Sequence, residues 1–175
     1  MRELADAARV RRLMRGLSEA ADRETTVYFT GGASAVLLGW RATTIDVDLR
    51  FVPESDRLLR AIPSLKEELQ INVELASPPD FIPEIPGWRE RSRFIEKEGN
   101  LSFFHFDFYS QVLAKIERGH AQDLEDVGEM IRRGFVEPRR ALALFEAIEP
   151  YLHRYPALDP PSFRRAVEKS LKTSD

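Results

Sequence analysis

Residues 26–51 switch hydrophobic period twice, and this switch limits the folds open to the chain. Thr26-Val27-Tyr28-Phe29-Thr30 is a β-branched and aromatic run that reads as a strand. Gly31-Gly32 then allows a tight backbone turn. Ala33-Ser34-Ala35-Val36-Leu37-Leu38 opens a helix over 33–39, and Thr43-Thr44-Ile45-Asp46-Val47-Asp48-Leu49 leads into a second strand over 45–51, closed by Pro53. The result is a compact strand-turn-helix-strand unit. Side chains two apart on a strand share a face, so Asp46 and Asp48 project together while Val47 and Leu49 turn to the core.

That arrangement carries a chemical expectation. Two hard carboxylates side by side suit Mg²⁺, which takes one or two such ligands and completes its shell with water and substrate phosphates. The glycine turn opens a helix whose first amides attract phosphate. Together they point to a nucleotide and a metal.

The rest of the chain reads as α+β. Apolar residues at helical spacing, among them Leu4, Val10, Leu13, Met14 and Leu17, predict an opening helix over 4–21. A helix over 55–69 presents Leu58, Leu59, Ile62, Leu65 and Leu69 on one side, and a short strand follows over 71–75. The proline-rich stretch 77–88 keeps large apolar residues and reads as an ordered loop. A hairpin pairs 93–97 with 101–109 around Glu98-Gly99-Asn100. Helices are then expected over 110–118, 122–133, 138–152 and 161–171, with Pro138 at a first-turn position. The expected organisation is a core over 1–109 with an N-terminal helix, followed by a helical subdomain over 110–175.

Charge and composition narrow the partners. The 175-residue chain has a formal net charge of −3, whereas generic nucleic-acid binders are strongly basic. Any nucleic-acid contact would need a local patch, such as Arg9, Arg11, Arg12 and Arg15, or Arg89, Arg91 and Arg93; solvated surface charge is the simpler reading of both. The absence of cysteine excludes disulfides and thiolate metal sites and fits a cytoplasmic location. Acids at Glu3 and Asp6 argue against a leader peptide, and no apolar run reaches the roughly 18 residues of a membrane span.

Gly31-Gly32, then thirteen residues, then Asp46-Val47-Asp48-Leu49 resembles the signature of the DNA polymerase β-type nucleotidyltransferase superfamily. Within it, the chain resembles the AbiEii/MenT-type toxin nucleotidyltransferases. Arg41-Ala42-Thr43-Thr44 before the acids, and Lys115 with Asp123-Leu124-Glu125-Asp126 downstream, resemble that group's further motifs, so the likeness covers roughly residues 26–131. It implies a minimal nucleotidyltransferase fold, a mixed sheet flanked by helices with a C-terminal helical subdomain. The implied activity moves a nucleoside monophosphate from a nucleoside triphosphate (NTP) to an acceptor, releasing pyrophosphate. Two Mg²⁺ or Mn²⁺ ions roughly 4 Å apart would clamp the reacting oxygens. Asp46 and Asp48 would bind them, and Gly31, Gly32, Ser34, Arg41 and Thr44 would serve the triphosphate. Lys115 would reach a phosphate oxygen, with Asp126 or Asp123 orienting it. The implied acceptor is RNA, a tRNA 3′ end, and the implied partner is an antitoxin protein.

The superfamily's third carboxylate has two candidates. Glu74 fits the expected chain order and is preferred. Asp107 lies in the run Phe104-His105-Phe106-Asp107-Phe108 and would share a strand face with His105. His105 itself reads as packed or hydrogen-bonded in the sheet. Phe103, Phe104 and Phe106 read as core and edge packing, although an exposed member could stack on a base. Lys115 and Asp126 could instead form a surface ion pair worth under ~1 kcal/mol. Other readings keep the chemistry with a protein or an aminoglycoside as acceptor, or treat the chain as a degenerate domain that binds without turnover.

Overall fold

The computed structural model describes residues 2–172, so the last three residues of the expected C-terminal subdomain lie outside it. The chain is α+β with a mixed sheet flanked by helices. It divides into two compact units: residues up to Ser77 with Arg93–Phe106, and Pro78–Ser92 with the residues from Asp107 onward.

The first unit contains β1 (Ala5–Asp6), α1 (Ala7–Ala20), β2 (Thr25–Thr30), α2 (Gly32–Leu38), β3 (Thr43–Thr44), β4 (Asp46–Val52), α3 (Asp56–Leu69) and β5 (Asn72–Leu75). After the excursion into the second unit it resumes with β6 (Arg93–Glu98) and β7 (Leu101–His105). The sheet order is β5-β4-β2-β7-β6. β4 runs antiparallel to β2 and parallel to β5, and β2 runs parallel to β7, which closes an antiparallel hairpin with β6. Val27, Phe29, Val47, Leu49, Phe51, Val73, Leu101 and Phe103 form the core side of the strands. They meet Val10, Leu13, Met14 and Leu17 of α1 and Leu58, Ile62 and Leu69 of α3. At about 1.5–3 kcal/mol per fully buried large side chain, this face drives folding of the unit.

The opening helix starts later than its apolar spacing predicts. Asp6 caps it by accepting from the Arg9 amide at 2.8 Å, which fixes the first turn after Leu4. Ala5 and Asp6 instead pair antiparallel with Thr44 and Thr43. α3 tolerates Pro63 in its interior. The ring removes one amide from the ladder, yet Pro63 is exposed while Leu58, Ile62 and Leu69 stay buried, so the apolar face holds the helix.

The second unit contains α4 (Trp88–Arg91), α5 (Phe108–Arg118), α6 (Ala121–Arg132), α7 (Pro138–Ile148) and α8 (Pro160–Ser170), with 3₁₀ turns at Pro78–Asp80 and Glu149–Arg154. Every side chain of α5 from Phe108 to Ile116 is buried, and α6, α7 and α8 pack around it. Phe108 stacks on Phe135 at 4.8 Å, and Phe145 meets Phe163 edge-on at 5.0 Å. The proline-rich stretch is ordered, as expected. Ile82, Ile85 and Trp88 are buried, and Tyr155 donates to the Pro79 carbonyl at 2.7 Å.

Here the structure corrects the hairpin reading. β7 ends at His105, and Asp107 is the N-cap of α5, accepting from the amides of Tyr109 and Ser110 at 3.2 Å each. α5 therefore begins at Phe108, two residues before the predicted start. Aromatic β-propensity masked an N-cap aspartate whose carboxylate satisfies the helix's first donors.

Candidate active site

β4 is built by strict alternation: Val47, Leu49 and Phe51 are buried, while Asp46, Asp48 and Arg50 are only partly covered. Asp48 pairs with Thr30, the last residue of β2, so the glycine turn departs beside it. Gly31 adopts φ 62°, a left-handed value that disfavours any side chain. A Cβ there would stand 3.0 Å from Asp48 Oδ2. A Cβ on Gly32 would fall 1.9 Å from Thr44 Oγ1 and 3.1 Å from Arg41 Nη1. Thr44 in turn donates its hydroxyl to the Asp46 carbonyl at 2.9 Å. Gly31, Gly32, Arg41, Thr44, Asp46 and Asp48 are thus brought together, with glycine demanded by the closeness of its neighbours.

Ser34 occupies a different environment. It is fully buried, and its Oγ donates to the Phe29 carbonyl at 3.4 Å and lies 2.9 Å from His105 Nδ1. A triphosphate contact through this hydroxyl would have to displace His105. Burial, and secondarily the charge of Arg93, lowers the His105 pKa to about 4. The imidazole is therefore neutral at neutral pH and hydrogen-bonded inside the sheet, as expected of it.

Glu74 lies across from Asp48 in the parallel β4–β5 register, and Asn72 lies across from Asp46. Asn72 is a site residue that sequence reasoning does not reach. Its Nδ2 donates to Asp46 Oδ1 at 2.6 Å and to Glu74 Oε1 at 3.1 Å, while its own Oδ1 accepts from Arg2 at 2.7 Å. The one available signal was its position two residues before Glu74 on the same strand face. Glu74 is exposed, and among the described residues no three His, Cys, Asp or Glu side chains are grouped to hold a metal. The donor chemistry of Asp46 and Asp48, two half-exposed oxygen ligands on one face, fits a hard divalent cation completed by phosphate and water.

Asp107, the other candidate third carboxylate, is fully buried and committed elsewhere. Arg91 grips it with two hydrogen bonds, Nε at 3.1 Å and Nη2 at 2.8 Å, and Ser110 Oγ donates at 2.7 Å. Arg91, whose sequence context suggests surface charge, is instead the structural partner of this cap.

Lys115 is likewise no surface residue. In the second unit its Nζ lies 2.7 Å from Asp126 Oδ2 and 3.6 Å from Asp123 Oδ1, and all three side chains are buried. Among the described residues Asp123 Oδ2 has no hydrogen-bond partner, although Arg118 Nε stands 3.5 Å away as an ion-pair partner. The spacing of the two acids brings both onto Lys115 from one face of α6. The surface-pair alternative is thereby replaced by a buried triad.

No helix among the described residues is long and apolar enough to cross a membrane. Comparison with curated proteins and with solved structures returned no match. A family model described as "Nucleotidyltransferase of unknown function (DUF6036)" matches residues 6–136, which take in the glycine turn, both β4 acids and the buried triad. Most of the chain is thus covered, and the protein belongs to this nucleotidyltransferase family.

Proposed function

We propose that this protein is a metal-dependent nucleotidyltransferase that moves a nucleoside monophosphate from an NTP to RNA, at a tRNA 3′ end, and acts as a toxin restrained by an antitoxin. The family assignment supports nucleotidyl transfer. The RNA acceptor, the antitoxin and the toxin role rest on the resemblance of the Gly31-Gly32, Asp46-Asp48 and Lys115-Asp126 motifs to the AbiEii/MenT type.

One observation carries the chemical reading: the Gly31 backbone, at a left-handed φ of 62°, runs so close to the Asp48 carboxylate that a Cβ there would stand 3.0 Å from Oδ2. A phosphate held by that backbone lies next to two carboxylates. A divalent cation held by Asp46 and Asp48 would supply neutralisation of charge on the phosphates and on the leaving pyrophosphate. The Gly31 and Gly32 amides and the Arg41 guanidinium would orient the triphosphate. Asn72 and Thr44, bonded to the side chain and backbone of Asp46, would hold that carboxylate in place. An acceptor hydroxyl, losing its proton, attacks the α-phosphorus as the α–β phosphoanhydride bond breaks. In-line positioning does most of the work.

The test is a screen of the four α-labelled NTPs against total RNA and total protein with Mg²⁺. Label should enter RNA with at least one NTP, and Asp46→Ala and Asp48→Ala should each lower the rate by about a thousandfold or more. Label in protein or in a small molecule would replace RNA as the acceptor. No transfer with any NTP would overturn the reading.

A further inference from the structure

On the face of the sheet that carries Asp46 and Asp48, the next row of side chains is Arg50, Tyr28, Phe104 and Phe94. The pairing registers set them in line: Arg50 opposite Tyr28, Tyr28 opposite Phe104, and Phe104 opposite Phe94. Arg50 stands two residues beyond Asp48 on β4, so this row adjoins the acids. The rings touch in sequence. Tyr28 and Phe104 lie 5.7 Å apart and tilted, and Phe104 and Phe94 lie 5.5 Å apart edge to face.

Exposure rises along the row. Tyr28 is buried at 7%, Phe104 is half-covered, and Phe94 is 60% exposed at the sheet edge. The apolar residues on the core side are already packed against α1 and α3, so folding gains little from an aromatic ring left in water at this edge. An edge strand is more often guarded by charge than by an open phenyl ring.

We infer that this row is a stacking platform for the acceptor, and that the acceptor is the end of a single-stranded nucleic acid whose bases lie on Phe94 and Phe104. The inference rests on the nucleotidyl-transfer reading, which sets the reacting phosphates at Asp48. Three strand spacings separate Asp48 from Phe94, about 14 Å across the sheet. That exceeds the distance at which a sugar holds a base from its own phosphate. A base on Phe94 therefore belongs to a neighbouring nucleotide in a chain, and not to the NTP donor. Aromatic faces accept any base, so the platform binds single strands with little sequence preference. Arg50, a partly covered cation in the same row, adds positive charge on the face along which the backbone phosphates of such bases would run. In an acidic chain, stacking with a local cation supplies the affinity that net charge does not.

The experiment measures anisotropy of a fluorescein-labelled single-stranded RNA heptamer with the full-length protein, which requires no turnover. Phe94→Leu keeps the exposed apolar bulk and loses the ring face; it should raise Kd by about fivefold or more, the low end of base–aromatic stacking. Phe94→Tyr should restore near-native affinity, and a duplex of the same sequence should bind more weakly. In a parallel transfer assay Phe94→Leu should raise KM for RNA and leave KM for NTP unchanged. A heptamer that fails to bind the wild type overturns the inference, as does an unchanged Kd in Phe94→Leu or an effect confined to KM for NTP. Heptamer binding lost in Phe94→Leu, with no transfer by the wild type, would uphold the platform and overturn the transferase reading.

Discussion

At the scale of single residues, Gly32 and His105 show how tightly the turn is held. A methyl group at Gly32 would overlap both the hydroxyl and the Cβ of Thr44. Gly32→Ala should therefore destabilise the first unit by about 1–3 kcal/mol, the usual cost of overpacking, as read by urea denaturation. His105 gives a pH signature. Its folded-state pKa of about 4 lies below the ordinary histidine value near 6.5. Between those values the unfolded chain binds the extra proton, so stability is full above about pH 6.5 and falls as pH drops toward 4. The loss should reach about 3 kcal/mol and then level off. His105→Gln should flatten this part of the profile, measured as the difference between variant and wild type in denaturant midpoints at about pH 7 and about pH 4.5. The paired acids were legible in the sequence because a strand's two-residue period is local. Asn72 was not, because its partner Asp46 lies 26 residues away and meets it only through strand pairing.

At the scale of elements, the α5–α6 pair carries a buried charge triad. Removing its only lysine leaves Asp123 and Asp126 buried, with Arg118 remaining beside Asp123. Lys115→Met should cost about 3–5 kcal/mol, and adding Asp126→Leu should recover at least half of that, measured by chemical denaturation. A full recovery would mark Asp126 as the main source of strain, and no recovery would contradict the assigned pairing. Most elements could be read from period alone, because α1, α3 and the strands each bury one continuous face. The exceptions sit at element ends. Asp6 and Asp107 each stop one kind of structure and start another by capping amides, and both lay inside runs whose side-chain pattern continued past them. Burial of Lys115 was equally hidden, since helical spacing gives a face and not what covers it.

At the scale of the whole molecule, the match to a nucleotidyltransferase family and the mixed sheet flanked by helices agree on the fold. The path of the chain was harder to read: the segment Arg93–Phe106 supplies two strands to the sheet, while Pro78–Ser92 belongs with the later helices. Local pattern shows a strand or a loop but not the unit it joins, because that depends on contacts made far along the chain. The central claim is that Asp46, Asp48 and the glycine turn transfer the α-phosphoryl nucleoside of an NTP. It is tested most directly by incubating the protein with total RNA and one NTP labelled at either the α or the γ phosphate. The account predicts that α-label enters RNA, that γ-label appears only in pyrophosphate, and that Asp48→Asn, with its fold intact by circular dichroism, does neither. Transfer of γ-label to the acceptor, or undiminished α-label transfer by Asp48→Asn, would contradict it.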